Sequence, residues 1–255
     1  MTPDWTPLDR ELDRWRAAGR MLPVWWRDDD AVAPGARLGE LMALSDMTGF
    51  PVHLAIIPAQ ASPALADLVA SRQTLIPLVH GWAHRSHAPR GEKKAEFGAH
   101  RPLPDMAAEA RNGLLRLSAL FGPALRPVFV PPWNRIAPEM VALLPALGYR
   151  AISTFTPRAR AEAAPGLQQI NTHLDPIDWR GSRSLADPDR LIAQMAGDLA
   201  DRREGRADAA EPYGLLTHHL VHDAAIQDFT AALLTRLAAG PVRRWIFPTD
   251  PEETT

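Results

Sequence analysis

Residues 52–84, VHLAIIPAQASPALADLVASRQTLIPLVHGWAH, contain the pattern that decides the fold. The apolar run Val52–Ile57 has the length and β-branched content of a buried strand, and so has Thr74–Val79. Between them, Pro63–Ser71 has apolar residues at helical spacing and a proline at its first position. A strand, a helix and a second strand in this order form the repeating unit of a parallel sheet.

The same alternation continues along the rest of the chain. Six further apolar runs predict strands: Met21–Arg27, Pro127–Val130, Ala151–Phe155, Leu167–Thr172, Gly214–Thr217 and Arg244–Phe247. Five further segments predict helices: Arg37–Thr48, Pro104–Leu120, Pro138–Leu147, Asp187–Arg203 and Ala224–Ala239. We therefore predict an α/β fold with a single barrel-like domain.

The sequence shows no boundary between domains. We predict an N-terminal helical extension over residues 1–20 and one barrel over residues 21–250. Two irregular stretches, Arg85–Pro102 and Pro157–Pro165, are predicted to be loops on one rim of that barrel.

The composition is that of an ordinary globular protein. The chain has 255 residues, 46% hydrophobic and 23% charged, which excludes the disordered and coiled-coil classes. The net charge is −2 and no long basic run occurs, so a nucleic-acid partner is not expected. The absence of cysteine excludes disulfides, thiolate zinc sites and cysteine nucleophiles.

Residues 1–20 lack the pattern of a signal peptide and no apolar run reaches membrane-spanning length, so we expect a cytoplasmic protein without a membrane partner. The sequence does not indicate the oligomeric state.

Polar side chains follow several predicted strands, where parallel barrels build their active sites. His80 and His84 follow Thr74–Val79, and a helical turn there would place both imidazoles on one side. Asp29 or Asp30, after the first strand, would complete a three-ligand metal site with open positions. The alternative is that both histidines are ordinary polar loop residues, one of them capping a helix.

Asp28, Asp29 and Asp30 are adjacent carboxylates that repel one another unless a cation or a catalytic proton relieves the repulsion. The alternative is that they cap a helix and form a turn. Arg27 partly offsets their charge. The triplet therefore favours metal binding without requiring it.

A third polar cluster, His218, His219 and His222, follows the strand Gly214–Thr217. The ordinary pKa of histidine suits a general acid, and we expect at most two of the three to be functional, with turn or helix-start roles for the others. Tryptophans beside these segments either fill the rim or offer aromatic faces to a sugar ring. They are Trp82, Trp133 and Trp179.

In this order, the segments from Val24 to Asp223 resemble the polysaccharide deacetylase family, the NodB-homology group of carbohydrate esterases. His80-Gly-Trp-Ala-His84 matches the two-histidine motif of that family in its spacing and its central aromatic residue. Three segments are similar to further family motifs: Phe129–Asn134 to Arg-x-Pro-Tyr, Asp178-Trp179 to Asp-Trp, and Leu215–His218 to the final leucine–histidine motif. The resemblance implies a distorted (β/α)7 barrel and one divalent metal held by an aspartate and two histidines.

The family uses two adjacent aspartates, the first as base and the second as metal ligand. The resemblance therefore implies Asp29 as the base and Asp30 as the ligand beside His80 and His84, with Asp28 and Asp29 as the alternative register. The residues expected to contact the substrate are Arg27, Trp82, Pro132, Trp133, Asn134, Asp178 and Trp179.

The chain departs from the family at Val130, which stands where the family has the arginine that orients the base. We expect Arg27 or Arg135 to take over that task. The acid of the family is matched by His218, which is expected to give a proton to the leaving amine or alkoxide.

The expected function is that of a metal-dependent hydrolase that removes an acyl group, foremost N-acetyl, from a sugar or sugar-like substrate. Zinc is the expected metal, and cobalt, nickel or iron suit the same ligands. A carbohydrate or another small molecule is the expected partner. One alternative is a non-catalytic barrel that binds a carbohydrate or metabolite, which the valine at position 130 favours. The other is an amidohydrolase of a small cytoplasmic N-acyl compound, which the lack of a signal peptide favours.

Overall fold

A computed structural model describes residues 2–249. Residues 1 and 250, the outer limits of the two predicted regions, lie outside the described residues. The described helices are α1 (Thr6–Ala17), α2 (Ala36–Thr48), α3 (Pro63–Ala70), α4 (Leu103–Phe121), α5 (Pro138–Leu143), α6 (Pro188–Arg203) and α7 (Ala224–Ala239). The strands are β1 (Leu22–Ala31), β2 (Val52–Ile56), β3 (Leu75–His80), β4 (Val128–Val130), β5 (Ala151–Ile152), β6 (Glu162–Ala164), β7 (Leu167–Gln169), β8 (Tyr213–Thr217) and β9 (Val242–Arg244).

One twisted sheet organises the chain, with the strand order β6-β7-β5-β4-β3-β2-β1-β8 and with β9 paired to the start of β1. All of these pairs are parallel except that between β6 and β7. The segment that continues from β7 bonds to β8, because His173 N–H donates to Gly214 at 2.7 Å and Leu216 N–H donates to Leu174 at 2.8 Å. The predicted α/β fold with a distorted barrel is confirmed.

The barrel has a small interior core and a larger outer core between the strands and the helices. The interior core consists of Trp25, Ala55, Leu78, Val128, Val130, Ala151, Ile170 and Phe247. Burying apolar side chains on both faces of the strands explains why the strands are continuous apolar runs rather than alternating ones.

The acidic triplet lies inside β1 rather than after it, so the strand end predicted at Arg27 is wrong. The pairing of β1 with β2 shifts register between Asp28 and Ala31, and Asp30 has a φ of 74° there. Side chains alternate along a strand and a bulge redirects one of them, so the three carboxylates leave β1 in different directions.

Two predictions near the loops and the C-terminal segment are also wrong. The last strand covers Val242–Arg244, not the predicted range Arg244–Phe247. Phe247 lies in the interior core and not in a strand. The predicted loop Pro157–Pro165 contains β6, which forms a hairpin with β7. The predicted loop Arg85–Pro102 contains no helix or strand among its described residues.

Helix α1 packs against the barrel through an apolar face. Leu8, Leu12 and Trp15 are buried in the outer core, and Trp15 Nε1 donates to the carbonyl of Leu199 on α6 at 3.2 Å. The division of the chain at residue 20 stays a prediction. Within residues 2–249, none of the helices combines the length and the apolar character needed to cross a bilayer.

His53 lies in the barrel interior and is fully buried. Its Nε2 accepts a hydrogen bond from the backbone N–H of Phe247 at 3.2 Å, so its Nδ1, 3.1 Å from the carbonyl of Trp26, carries the proton. Burial lowers the pKa of His53 to about 4, outweighing the hydrogen bond to Trp26, and the positive charge of Arg126 lowers it further. The ring is therefore neutral wherever the barrel is folded near neutral pH.

This neutral ring makes stability depend on pH. Between pH 6.5 and pH 4 the unfolded chain protonates His53 and the folded protein does not, so stability falls as the pH falls. Across this window, we expect the free energy of unfolding to drop by about 3 kcal/mol more in the wild type than in His53→Gln. Urea unfolding followed by tryptophan fluorescence at several pH values measures this difference.

The matched control is His100→Gln, because His100 is exposed. This variant should keep the pH dependence of the wild type. Equal pH dependence in the wild type and in His53→Gln would contradict a neutral, buried His53.

Candidate metal centre

Three side chains from two strand ends converge at one rim of the barrel. Asp30 lies near the end of β1, His80 is the last residue of β3, and His84 follows four residues later. Oδ1 of Asp30 is 3.2 Å from Nε2 of His80 and 3.2 Å from Nε2 of His84. Their ligand atoms all lie within 4.8 Å of one another. One carboxylate and two imidazoles converging on one point form a donor set that suits a divalent transition metal.

The orientation of His80 is fixed by a backbone partner. Its Nδ1 lies 2.9 Å from the carbonyl of Val130 and donates to it, which leaves Nε2 to face Asp30. Position 130 therefore supplies a carbonyl that orients a predicted ligand. Burial opposes the ionisation of Asp30, but the hydrogen bond from His80 and the charges of the nearby histidines hold the pKa of Asp30 well below its usual range.

His84 reaches Asp30 from a turn and not from a helix. The predicted helical turn is wrong, because residues 82 and 83 form a bend, and Gly81 and His84 on either side of it have positive φ angles of 55° and 54°. A non-glycine residue in the left-handed region is uncommon and needs support from its surroundings. The two rings nevertheless lie on one side, with centroids 5.1 Å apart.

Asp28 points away from these ligands. Its Oδ2 accepts hydrogen bonds from the Thr217 hydroxyl at 2.6 Å and from the His219 N–H at 3.0 Å, and its Oδ1 pairs with Nδ1 of His219. Burial opposes the ionisation of Asp28, but His219 and Thr217 together lower its pKa. Since both oxygens of Asp28 are engaged at the end of β8, the geometry favours the register of Asp29 and Asp30.

Asp29 is held by Arg27, two residues earlier on the same face of β1. Nη2 of Arg27 donates to Oδ2 of Asp29 at 3.0 Å, and Nε lies 2.8 Å from Oδ1 as an ion pair whose direction is poor for a hydrogen bond. The buried guanidinium also donates to the Ser153 hydroxyl at 2.7 Å and to Oδ1 of Asn134 at 2.9 Å. Arg135 instead donates to a backbone carbonyl at the surface. Of the two predicted arginines, Arg27 is the one that reaches the carboxylate.

His218 lies across from Asp29, with its Nε2 3.9 Å from Oδ2. Its ring meets the Trp179 ring edge-on at a centroid distance of 4.8 Å. Its Nδ1 is buried and has no hydrogen-bond partner among the described residues. Asp175 lies on the same side, where its Oδ2 accepts from Trp179 Nε1 at 2.7 Å, and burial raises the pKa of Asp175. Asp178 instead caps its own turn by accepting from the N–H groups of Gly181 and Ser182, both at 3.0 Å.

The predicted aromatic residues occupy different places around the rim. Trp82 packs against the outer core. The ring centroids of Trp133 and His84 are 4.3 Å apart, and Nζ of Lys94 lies 5.9 Å from the centroid of the Trp133 ring. Trp179 is 41% exposed, so it presents the most accessible aromatic surface of the three.

Pro132 is buried beside the turn that carries His84, where its ring lies against Gly81. Its predicted contact with a substrate, like those of the other rim residues, stays a prediction.

Sequence analysis missed two buried residues of this region. Ser153 follows β5 and holds the Arg27 guanidinium. Glu96, in the loop between His84 and α4, accepts hydrogen bonds from the backbone of residues 82, 83 and 85. Neither has a local signal, because a single serine and one glutamate in a charged loop gain their partners only from the tertiary fold.

Sequence comparison finds neither a protein-family model nor a curated protein that matches the chain. Among solved structures, a family 4 carbohydrate esterase from Streptomyces lividans in complex with acetate is similar, with 15% identity over 89% of this chain and 93% of that chain and a TM-score of 0.57. A candidate polysaccharide deacetylase from Mycobacterium smegmatis has 16% identity, with 82% and 73% of the chains covered and a TM-score of 0.58. A mutant of a family 4 pseudoenzyme with restored enzymatic activity has 14% identity, with 88% and 65% covered and a TM-score of 0.52. This chain therefore has the fold of the family 4 carbohydrate esterases and polysaccharide deacetylases.

Proposed function

We propose that this chain is a metal-dependent hydrolase that removes an acyl group, N-acetyl in the first instance, from a sugar or sugar-like substrate. The observation that carries the proposal is the convergence of Asp30, His80 and His84 beside a carboxylate, Asp29, that a buried arginine orients. His218 stands opposite that carboxylate. The fold likeness to carbohydrate esterases supports the same reaction class.

Asp30, His80 and His84 would hold one divalent cation, for which we propose zinc. Cobalt, nickel and iron accept the same oxygen and nitrogen donors. When bound in such a site, a divalent cation makes water more acidic and polarises an acyl carbonyl. The donation from His80 Nδ1 to the Val130 carbonyl fixes the ring and directs Nε2 at the site, where Nε2 would be the atom that holds the cation.

Asp29 is the proposed general base. Its Oδ1 and Oδ2 face Arg27, which fixes the plane of the carboxylate. A fixed carboxylate takes the proton of the attacking water with little reorganisation. Ser153 and Asn134 hold Arg27 from its other side, so the base has a rigid support at the end of β1.

His218 is the proposed general acid, which gives a proton to the leaving amine or alkoxide through Nε2. Trp179 meets its ring edge-on and restricts its rotation. Trp133 lies against His84, Asn134 bonds to Arg27, and Trp179 is exposed beside His218, so we propose that these three residues contact the substrate.

A second candidate function is a non-catalytic barrel that binds a carbohydrate or a metabolite. Val130 in place of the family's arginine favours it, and one structural neighbour is a mutant of a pseudoenzyme. A third candidate, hydrolysis of a small N-acyl compound, uses the same residues. Acetate release from acetylated oligosaccharides and from small N-acyl amides separates the three, since the binding barrel binds but does not turn over.

The metal site itself gives the first prediction. After reconstitution with zinc or cobalt, the wild type should contain about one metal ion per chain, and His84→Ala should lose both metal and activity because one ligand of three is removed. Plasma mass spectrometry of the desalted protein measures the metal content.

Asp28→Asn is the matched control, because Asp28 belongs to the same triplet and faces β8. It should retain the metal, with circular dichroism confirming that the variant is folded. Loss of metal in Asp28→Asn with retention in His84→Ala would overturn the ligand assignment.

The proposed acid gives a second prediction. His218→Gln should lower kcat by about 10²- to 10⁴-fold on the best substrate of the panel, because no proton reaches the leaving group. Its metal content should equal that of the wild type. Full activity in this variant would exclude His218 as the acid.

The buried guanidinium gives a third prediction, because Arg27 acts through Asp29 and not on the substrate. Arg27→Lys keeps the positive charge but loses the fork that holds both carboxylate oxygens, so kcat should fall by about 10²-fold with little change in KM or metal content. Arg135→Lys, which changes the exposed arginine, should leave kcat unchanged. A variant of Arg27 that raised KM alone would instead place this residue in substrate binding.

A further inference from the structure

The carboxylate of Glu96 lies beneath the turn that joins the two histidines. Glu96 is 1% exposed and belongs to the long loop between His84 and α4. Its Oε2 accepts from the N–H of Trp82 at 3.1 Å, and its Oε1 accepts from the N–H of Ala83 at 2.8 Å and of Arg85 at 3.3 Å. Three backbone donors of one turn therefore converge on one buried side chain.

This turn has no regular hydrogen-bond ladder of its own. Among the described residues, the N–H groups of Trp82, Ala83 and Arg85 have no acceptor other than Glu96. N–H groups that lose their acceptors cost free energy where water does not replace them, and the two oxygens of a carboxylate have enough lone pairs to satisfy all three. A nest of successive N–H groups also favours a negative charge over a neutral acceptor.

The space between the two histidines is shaped around this carboxylate. A Cβ on Gly81 would overlap Oε2 of Glu96 and would lie 2.6 Å from Cδ of Pro132. Gly81 also has a φ of 55°, so both its conformation and its contacts require glycine. His84, at the other end of the turn, has a φ of 54°, which costs backbone energy that the surroundings must offset.

We infer that Glu96 is a positioning residue that holds the turn of residues 81–85 in the conformation in which His84 faces Asp30. His80 needs no such help, because β3 and the Val130 carbonyl fix it. His84 lies outside any helix or strand, and Glu96 accepts from the N–H groups of its two neighbours, Ala83 and Arg85. The other bonds of this turn reach its carbonyls, where Ala59 N–H donates to Trp82 at 2.8 Å and Gln60 Nε2 donates to Ala83 at 3.4 Å. The inference rests on the metal site of the proposed function, and it deepens that site by naming what preorganises its third ligand.

Amide hydrogen exchange measured by NMR on the metal-free protein tests the positioning directly. In the wild type, the amides of Trp82, Ala83 and Arg85 should be protected although they lie outside helices and strands. In Glu96→Gln, whose amide group brings its own donors towards these N–H groups, their exchange should be at least about 10-fold faster. Glu96→Asp, which keeps the charge on a shorter side chain, should fall between the two and serves if Glu96→Gln does not fold.

Metal affinity is the second measurement, made by competition with a chromogenic chelator for zinc and for cobalt. Glu96→Gln should bind about 10- to 100-fold more weakly than the wild type, the usual effect of losing a residue that orients a ligand. Its cobalt absorption spectrum should also change, because His84 no longer has one fixed direction.

The matched control is Glu211→Gln. Glu211 is also 1% exposed and accepts from two backbone N–H groups, those of Asn171 at 3.0 Å and Arg158 at 3.1 Å, but it contacts none of the candidate ligands. Its thermal stability should fall at least as far as that of Glu96→Gln, because Glu211 also pairs with Arg202 and His173. It should nevertheless keep the metal affinity and the protection of residues 82, 83 and 85.

Unchanged exchange at these three amides in Glu96→Gln would overturn the inference, as would a loss of metal affinity no larger than that of Glu211→Gln. A wild type that binds no metal would refute the proposed function. The exchange measurement would then still decide whether Glu96 holds the turn.

Discussion

Adjacent carboxylates at the buried end of a strand repel one another unless each has its own partner, and this constraint organises the rim of the barrel. Asp28 is satisfied by the end of β8, Asp29 by Arg27, and Asp30 by the two histidines at β3. Strand alternation and the bulge direct the three side chains to these different neighbours. The contacts that offset the negative charges of Asp28, Asp29 and Asp30 therefore also connect the end of β1 to the ends of β3 and β8.

Breaking one of these buried pairs is costly, which favours one arrangement of the rim. Arg27 has no contact with solvent, and removing the partner of a buried charge costs about 3–5 kcal/mol. The guanidinium also bonds to Ser153 and Asn134, so the segments after β4 and β5 are fixed to the same group. A single arginine thereby sets the relative positions of three strand ends, which is the precision that a reaction centre needs.

Local pattern was sufficient to predict the fold and the convergence of Asp30, His80 and His84 at one rim, where the candidate site lies. Runs such as Thr74–Val79 predict buried strands, and the polar residues that follow them predict which rim carries the chemistry. Local pattern was insufficient where residues distant in the sequence determine the conformation or the protonation of a side chain. The polar composition after Arg27 suggested a loop, but ionic partners from other strands allow the carboxylates to continue β1. The spacing of the histidines suggested a helical turn. Glu96, a residue of the following loop, instead bonds to this segment and favours a non-helical turn with positive φ at Gly81 and His84. His53 gave no sign of its neutral state, which follows from burial in the folded barrel, or of its tautomer, which the N–H of Phe247 sets from almost two hundred residues further along the chain.

Both ends of the described chain complete the core, one from outside the barrel and one from inside. Trp5 stacks on Phe229 of α7 at a ring distance of 5.2 Å, and Phe247 occupies the interior beside Trp25. During synthesis on the ribosome, β1 to β8 are made before the residue that fills their common interior. The interior core therefore stays incomplete until residue 247 has emerged, and the apolar side chains that Phe247 covers, Trp25 among them, lack that contact during synthesis.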